Sequence, residues 1–213
     1  MSERLKASPE FERLVNDLEA LVLPDRPIAG WPPATPLKKW GEDASGSITF
    51  SRECALELFR TIEQARIPRG QAVISNLGSG LATLFWGQIF DRVLAVTDTA
   101  LPDGRIVDGK YTLVSGALDR TVFVYELLRE LDVLNVLVLD ESHYSRAISP
   151  YYLFRKKLSR PGMIVFVGMK HEGMTRFVAD LRSGHLDGIR HVISEVLCAS
   201  PVGVAIELLG PRG

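Results

Sequence analysis

Two stretches of this chain hold residues whose types and spacing suit chemistry. In the first, Val73-Ile74-Ser75-Asn76-Leu77-Gly78-Ser79-Gly80, an apolar run ends in a Gly-x-Gly turn and passes into a helix-competent stretch, Leu81 to Phe90. Glycines at Gly78 and Gly80 let the backbone approach a ligand, and the free N–H groups of the following helix favour an anion, so the pattern suits a nucleotide-type cofactor. A tight strand-to-helix turn without a ligand would carry the same residues. In the second, Val138-Leu139-Asp140-Glu141-Ser142-His143, an apolar strand ends in a carboxylate shortly before a histidine. Asp140 either faces the cleft at the sheet edge or caps the next helix. An imidazole at His143 suits removal of a proton from a hydroxyl or amine, or a bond to backbone that shapes the loop. His171, beside Lys170 and Glu172, is a second base candidate, whereas His185 and His191 read as surface or strand residues.

The order of elements places these residues. Apolar positions Phe11, Leu14, Leu18 and Leu21 recur at helical spacing after Ser8-Pro9-Glu10, and a second helix fits Arg52 to Ala65 with Ser51 as N-cap. Pro24 to Ser47, with Trp31 and Trp40, reads as an irregular connector. Beyond Pro68-Arg69-Gly70 strands and helices alternate. Strands are expected at Ala72–Ser75, Val93–Thr97, Tyr111–Val114, Leu134–Leu139 and Met163–Val167. Helices fit Leu81–Phe90, Asp119–Leu131, Ser145–Leu158 and Met174–Ser183. Short apolar strands buried on both faces indicate a parallel sheet. Arg190–Leu197 and Val202–Leu209 are joined by a link too short for a helical crossover, so they should pair antiparallel. The boundary is drawn between an N-terminal helical extension, residues 1–69, and an α/β domain, residues 70–213.

Composition narrows the function classes. The 213 residues are 46% hydrophobic and 24% charged, ordinary for a globular protein with a sizeable core. A net charge of −1 gives no general attraction to nucleic acid or an anionic membrane. Cys54 and Cys198 are far apart and read as thiols of a reducing compartment, with a disulfide left open. No Cys/His cluster suggests a metal, no stretch is long and apolar enough to span a bilayer, and the polar N-terminus is unlike a secretory signal. A cytoplasmic protein is expected.

The pattern resembles the class I S-adenosylmethionine-dependent methyltransferase fold, and within it the small-molecule O-methyltransferase and cephalosporin-hydroxylase-like group. Asn76-Leu77-Gly78-Ser79-Gly80 resembles the acid-x-Gly-x-Gly cofactor loop, with Asn76 in place of the acid, and Phe85-Trp86 resembles a pair of that group. Val93 to Asp98 resembles the strand whose terminal acid holds the ribose diol, with Thr97 at the expected place and Asp98 one later; Asp98 also fits the start of a turn. Asp140 and His143 match a Leu-Asp-x-Asp-His strand ending in which Ser142 replaces the second acid. Pro161-Gly162 resembles the turn before the fifth strand. Gly116-Ala117-Leu118 lies where an acid is common near the adenine, Gly168 where metal-dependent members carry a ligand acid, and Asp98–Lys110 is turn-rich where a helix is usual.

The resemblance implies a Rossmann-like, mostly parallel seven-stranded α/β sheet with an antiparallel C-terminal hairpin. It implies S-adenosylmethionine held by Asn76, Gly78, Ser79, Gly80, Thr97, Asp98, Ala117, Leu118 and Asp140, with Asp140 and His143 as catalytic residues and no metal. The expected partner is a small-molecule acceptor, not nucleic acid or membrane, and a homo-oligomer is compatible with it. A catalytically degenerate domain that keeps the fold for ligand binding or structure is the alternative, motivated by Asn76, Thr97, Ala117, Ser142 and Gly168 standing where acids are usual. A nicotinamide-dependent oxidoreductase ranks last, because Thr83 stands where the dinucleotide fingerprint wants a third glycine or alanine.

Overall fold

The computed structural model describes residues 8–21, 52–75, 80–97, 100–117, 120–196 and 203–210. Helix α1 spans Pro9–Leu21 and opens where its sequence asks, with the Phe11 N–H donating to Ser8 Oγ at 3.2 Å. Helix α2 runs Arg52–Gln64. Then follow β1 (Gln71–Ile74), α3 (Gly80–Ile89), β2 (Arg92–Thr97), β3 (Arg105–Asp108), β4 (Tyr111–Ser115), α4 (Thr121–Glu130) and β5 (Leu134–Asp140). The chain continues through α5 (Tyr144–Arg155), β6 (Leu158–Val167), α6 (Glu172–Ser183), β7 (Ile193–Glu195) and β8 (Val204–Leu209).

The eight strands of the described residues join one sheet, in the order β3-β4-β2-β1-β5-β6-β8-β7. The five from β4 to β6 in that order run parallel; α3, α4 and α5 make three of their crossovers, and the fourth, from β2 to β4, passes through β3 instead of a helix. The terminal hairpin is antiparallel as its short link demands, β8 pairing with β6 and with β7. The eighth strand, β3, is the departure from the seven expected. Between the two Asp-Gly pairs, Arg105–Asp108 folds back antiparallel on β4, Asp108 opposite Tyr111, after a turn at Pro102–Gly104. A second departure is β6, which starts at Leu158 and so contains Pro161-Gly162 instead of following it. The pairing with β5 slips in register there, between Leu134 and Val136, which lets a strand carry proline.

Alternate residues of each central strand feed opposite faces. On one face Ala72, Ile74, Val136, Val138, Met163 and Val165 pack with α3 and with the apolar sides of α1 and α2. On the other, Val73, Leu137, Leu139, Ile164 and Phe166 pack with α4, α5 and α6. This double burial explains why the strands read as unbroken apolar runs. Phe85 and Trp86 are fully buried, their rings 5.1 Å apart edge to face, so this pair is core packing.

Candidate functional site

The strand order reverses direction at β1, which lies between β2 and β5. In an open parallel sheet this makes a crevice outside the carboxyl ends of those strands. Gly80 is the first residue of α3, the element that follows the carboxyl end of β1, and the first N–H groups of a helix have no partner within it. Thr97 ends β2 and is buried; its carbonyl accepts the Gly116 N–H at 3.0 Å, which brings the half-buried Ala117 to the same rim. Asp140 ends β5. Gly80, Thr97, Ala117 and Asp140 therefore share one edge of the sheet. Asn76, Gly78, Ser79, Asp98 and Leu118, together with Trp31, Trp40 and Cys198, lie outside the described residues.

Asp140 is the most chemically distinctive group on this rim. It keeps part of its surface open, yet burial of its carboxyl pushes the pKa from 3.8 up to about 7. Among the described residues no hydrogen bond or ion pair reaches that carboxyl, so nothing offsets the burial. Its backbone is held instead: the Asp140 N–H donates to the Ser75 hydroxyl at 2.9 Å.

His143 sits at the N-cap of α5, exposed, and its side chain makes no capping bond. The loop is fixed by packing: a Cβ on Gly173, in the first turn of α6, would collide with the Ser142 carbonyl oxygen, so α6 presses directly on residues 142–144. His171 occupies the equivalent N-cap of α6, also exposed and without a capping bond.

Gly168 has φ +90°, and a Cβ there would lie 3.0 Å from the Glu141 carbonyl oxygen. An aspartate or glutamate at this position would be strained by the left-handed backbone and crowded against the Glu141 carbonyl. Among the described residues no group of three or more His, Cys, Asp or Glu could hold a metal ion. No helix among them is long and apolar enough to cross a membrane.

Several polar residues escaped the sequence reading. Ser75 is one. Glu141 is buried, with Arg146 Nε 3.2 Å from its carboxylate. His191, expected at the surface or in a strand, lies buried just before β7. Its Nδ1 is 3.0 Å from Glu207 Oε1 and its Nε2 is 3.0 Å from Asp187 Oδ2. Tyr151 donates to Glu207 Oε2 at 2.8 Å and Arg155 to Glu207 Oε1 at 2.8 Å, and burial holds the Tyr151 phenol well above its usual range. This network ties α5 to the terminal hairpin. The one sequence signal for it was Glu207, a lone charge inside an apolar strand. Elsewhere, a cleft of about 100 Å³ lined by Glu10, Arg13, Asp17, Phe59, Arg69 and Gln88 opens beside α1, away from the carboxyl rim.

No protein-family profile and no curated protein sequence matches the chain. Solved structures do. MycE, a methyltransferase from the mycinamycin biosynthetic pathway solved with Mg, SAH and mycinamycin VI, aligns with a TM-score of 0.58 at 11% identity, over 96% of this chain and 55% of MycE. CalS11, a TDP-rhamnose 3'-O-methyltransferase of calicheamicin biosynthesis, aligns at 0.54 and 15% identity over 97% of both chains. The O-methyltransferase from Bacillus cereus in complex with SAH aligns at 0.52 and 10% identity, over 97% of this chain and 93% of that one. The fold is therefore that of the class I methyltransferases. This chain spans about half the length of MycE and nearly all of the other two.

Proposed function

We propose that the chain is an S-adenosylmethionine-dependent methyltransferase acting on a hydroxyl or amine of a small molecule. The observation that carries this is the half-buried Asp140 carboxyl, without an ion-pair partner among the described residues, at the switch-point crevice, on the same rim as the start of α3, in a fold shared with methyltransferases solved with SAH. When bound, the cofactor supplies a sulfonium-activated methyl group. The residues assigned to hold it are Asn76, Gly78, Ser79 and Gly80 at the β1–α3 turn, with Thr97, Asp98, Ala117, Leu118 and Asp140 along the rim.

The chain's own contribution is binding, orientation and proton removal. Near neutral pH the Asp140 carboxyl is poised between its two protonation states, so it can accept a hydrogen bond or a proton from a bound hydroxyl or amine. His143, exposed at the head of α5, is the base that reaches an acceptor arriving from solvent. No step in this reading is routed through a metal. In this reading residues 70–213 form the methyltransferase unit and residues 1–69 an extension whose α1 and α2 cover one face of it.

Calorimetry with S-adenosylmethionine and S-adenosylhomocysteine tests the reading. Saturable binding, weakened by Asp140→Asn, is expected. Turnover of labelled cofactor with a panel of hydroxyl and amine acceptors should fall at least about tenfold in His143→Ala. A flat titration overturns the proposal and leaves the degenerate domain, which gains support if Asn76→Asp makes cofactor binding appear.

A further inference from the structure

The seam between β1 and β5 is stitched by side chains at both of its ends. Toward the amino edge, Asn135 Oδ1 accepts the Gln71 N–H at 2.7 Å. Between the ends, Ala72, Val73 and Ile74 pair with Val136, Leu137 and Val138, and the Ser75 N–H donates to the Val138 carbonyl at 2.8 Å. A parallel ladder would next bring the Asp140 N–H to the main-chain carbonyl of Ser75. The acceptor it meets is the Ser75 hydroxyl, 2.9 Å away, on a residue only 2% exposed.

We propose that Ser75 is a positioning residue: by standing in for the next ladder carbonyl, its hydroxyl fixes the main chain of Asp140 and so sets where the strand-end carboxyl lies at the mouth of the crevice. The substitution of a hydroxyl for a carbonyl has a geometric result. It lets β1 leave the sheet at Ser75 while β5 runs on to Asp140, so the two strands part at the crevice without leaving a buried N–H unpaired. Among the described residues no ion pair holds the carboxyl, and the backbone bond to Ser75 is the anchor this proposal assigns to it. The relevance of Ser75 to catalysis rests on the methyltransferase reading; its control over Asp140 does not.

The test is an NMR titration of the Asp140 side-chain carboxyl in the cofactor-free chain, for the unmodified protein and for Ser75→Ala, Ser75→Thr and Asn135→Ala. The unmodified chain should titrate near pH 7. Ser75→Ala should drop the midpoint by about one pH unit or more, toward the ordinary carboxylate value, as the strand end loosens into water. Ser75→Thr keeps the hydroxyl and should restore the higher midpoint. Asn135→Ala cuts the stitch at the opposite end of the same seam, so it should lower the melting temperature and leave the Asp140 midpoint in place. Should the alanine variant fail to fold, Ser75→Cys keeps the volume, weakens the acceptor and gives the same reading.

An unchanged midpoint in Ser75→Ala or Ser75→Cys overturns the proposal, as does an equal fall in Asn135→Ala, which would show general loosening. Calorimetry with S-adenosylhomocysteine on the same samples separates the two readings. Flat titrations throughout would sink the methyltransferase assignment while the Asp140 midpoints still decide the role of Ser75.

Discussion

Asp140 pays for its place at the rim in stability. Its folded-state pKa, about 7, lies above its ordinary 3.8, so the folded chain binds this proton more tightly than the unfolded chain does. The sign follows: folding is favoured by protonation, stability falls as pH rises from about 4 through about 7, and the loss is complete above that. Asp140→Asn removes the loss. It should stabilise the chain by about 2 kcal/mol near pH 8, the open part of the surface trimming the full effect, and by almost nothing near pH 4. Urea melts at the two pH values check this, and equal effects at both would contradict the assignment. Asp140 was legible in the sequence because it ends an apolar run. Ser75 was not, because its role depends on a hydrogen-bond partner 65 residues away.

Among the elements, the hairpin of β7 and β8 depends on Glu207. Tyr151, Arg155 and His191 all converge on its carboxylate, with Asp187 on the far side of the imidazole. Removing one member of a buried ionic cluster strands the others, so Glu207→Ala should cost about 3–5 kcal/mol, read from the denaturant midpoint. Gly168→Asp should cost about 1–3 kcal/mol and create no metal affinity, because φ +90° and the Glu141 carbonyl both oppose it; calorimetry with Mg2+ and a thermal melt decide the two halves. Five parallel strands, the crossover helices and the antiparallel hairpin could all be read from apolar runs, turn residues and link length, which are local signals. Strand β3 could not. Arg105-Ile106-Val107-Asp108 is too short and too polar to declare itself, and exists as a strand only by pairing with β4. The start of β6 was hidden for a similar reason, since its proline is tolerated only because the register slips against β5.

Over the whole molecule, the sheet divides the interior into two separate cores. Val165 packs toward α1–α3, whereas Phe166 and Phe177 pack together toward α4–α6 with ring centroids 6.4 Å apart. Cavities cut on opposite faces should not feel each other. Val165→Ala with Phe177→Ala should destabilise by the sum of the single losses within about 0.5 kcal/mol. Phe166→Ala with Phe177→Ala should depart from additivity by more than that, because both changes open one void. A double-mutant cycle in denaturant measures both.

The hairpin that β3 makes with β4 has an effect at the margins of the sheet. With β3 on one border and β7 on the other, both antiparallel to their neighbours, no parallel strand among the described residues is left at an edge of the sheet. The outer strands are brief, and β3 is clamped to α4 by Arg105 and Glu130 at 2.6 Å. A chain arriving from outside would find little hydrogen-bonding frontage to extend, so the hem that the turn-rich insertion sews on shields the molecule against fibrous growth.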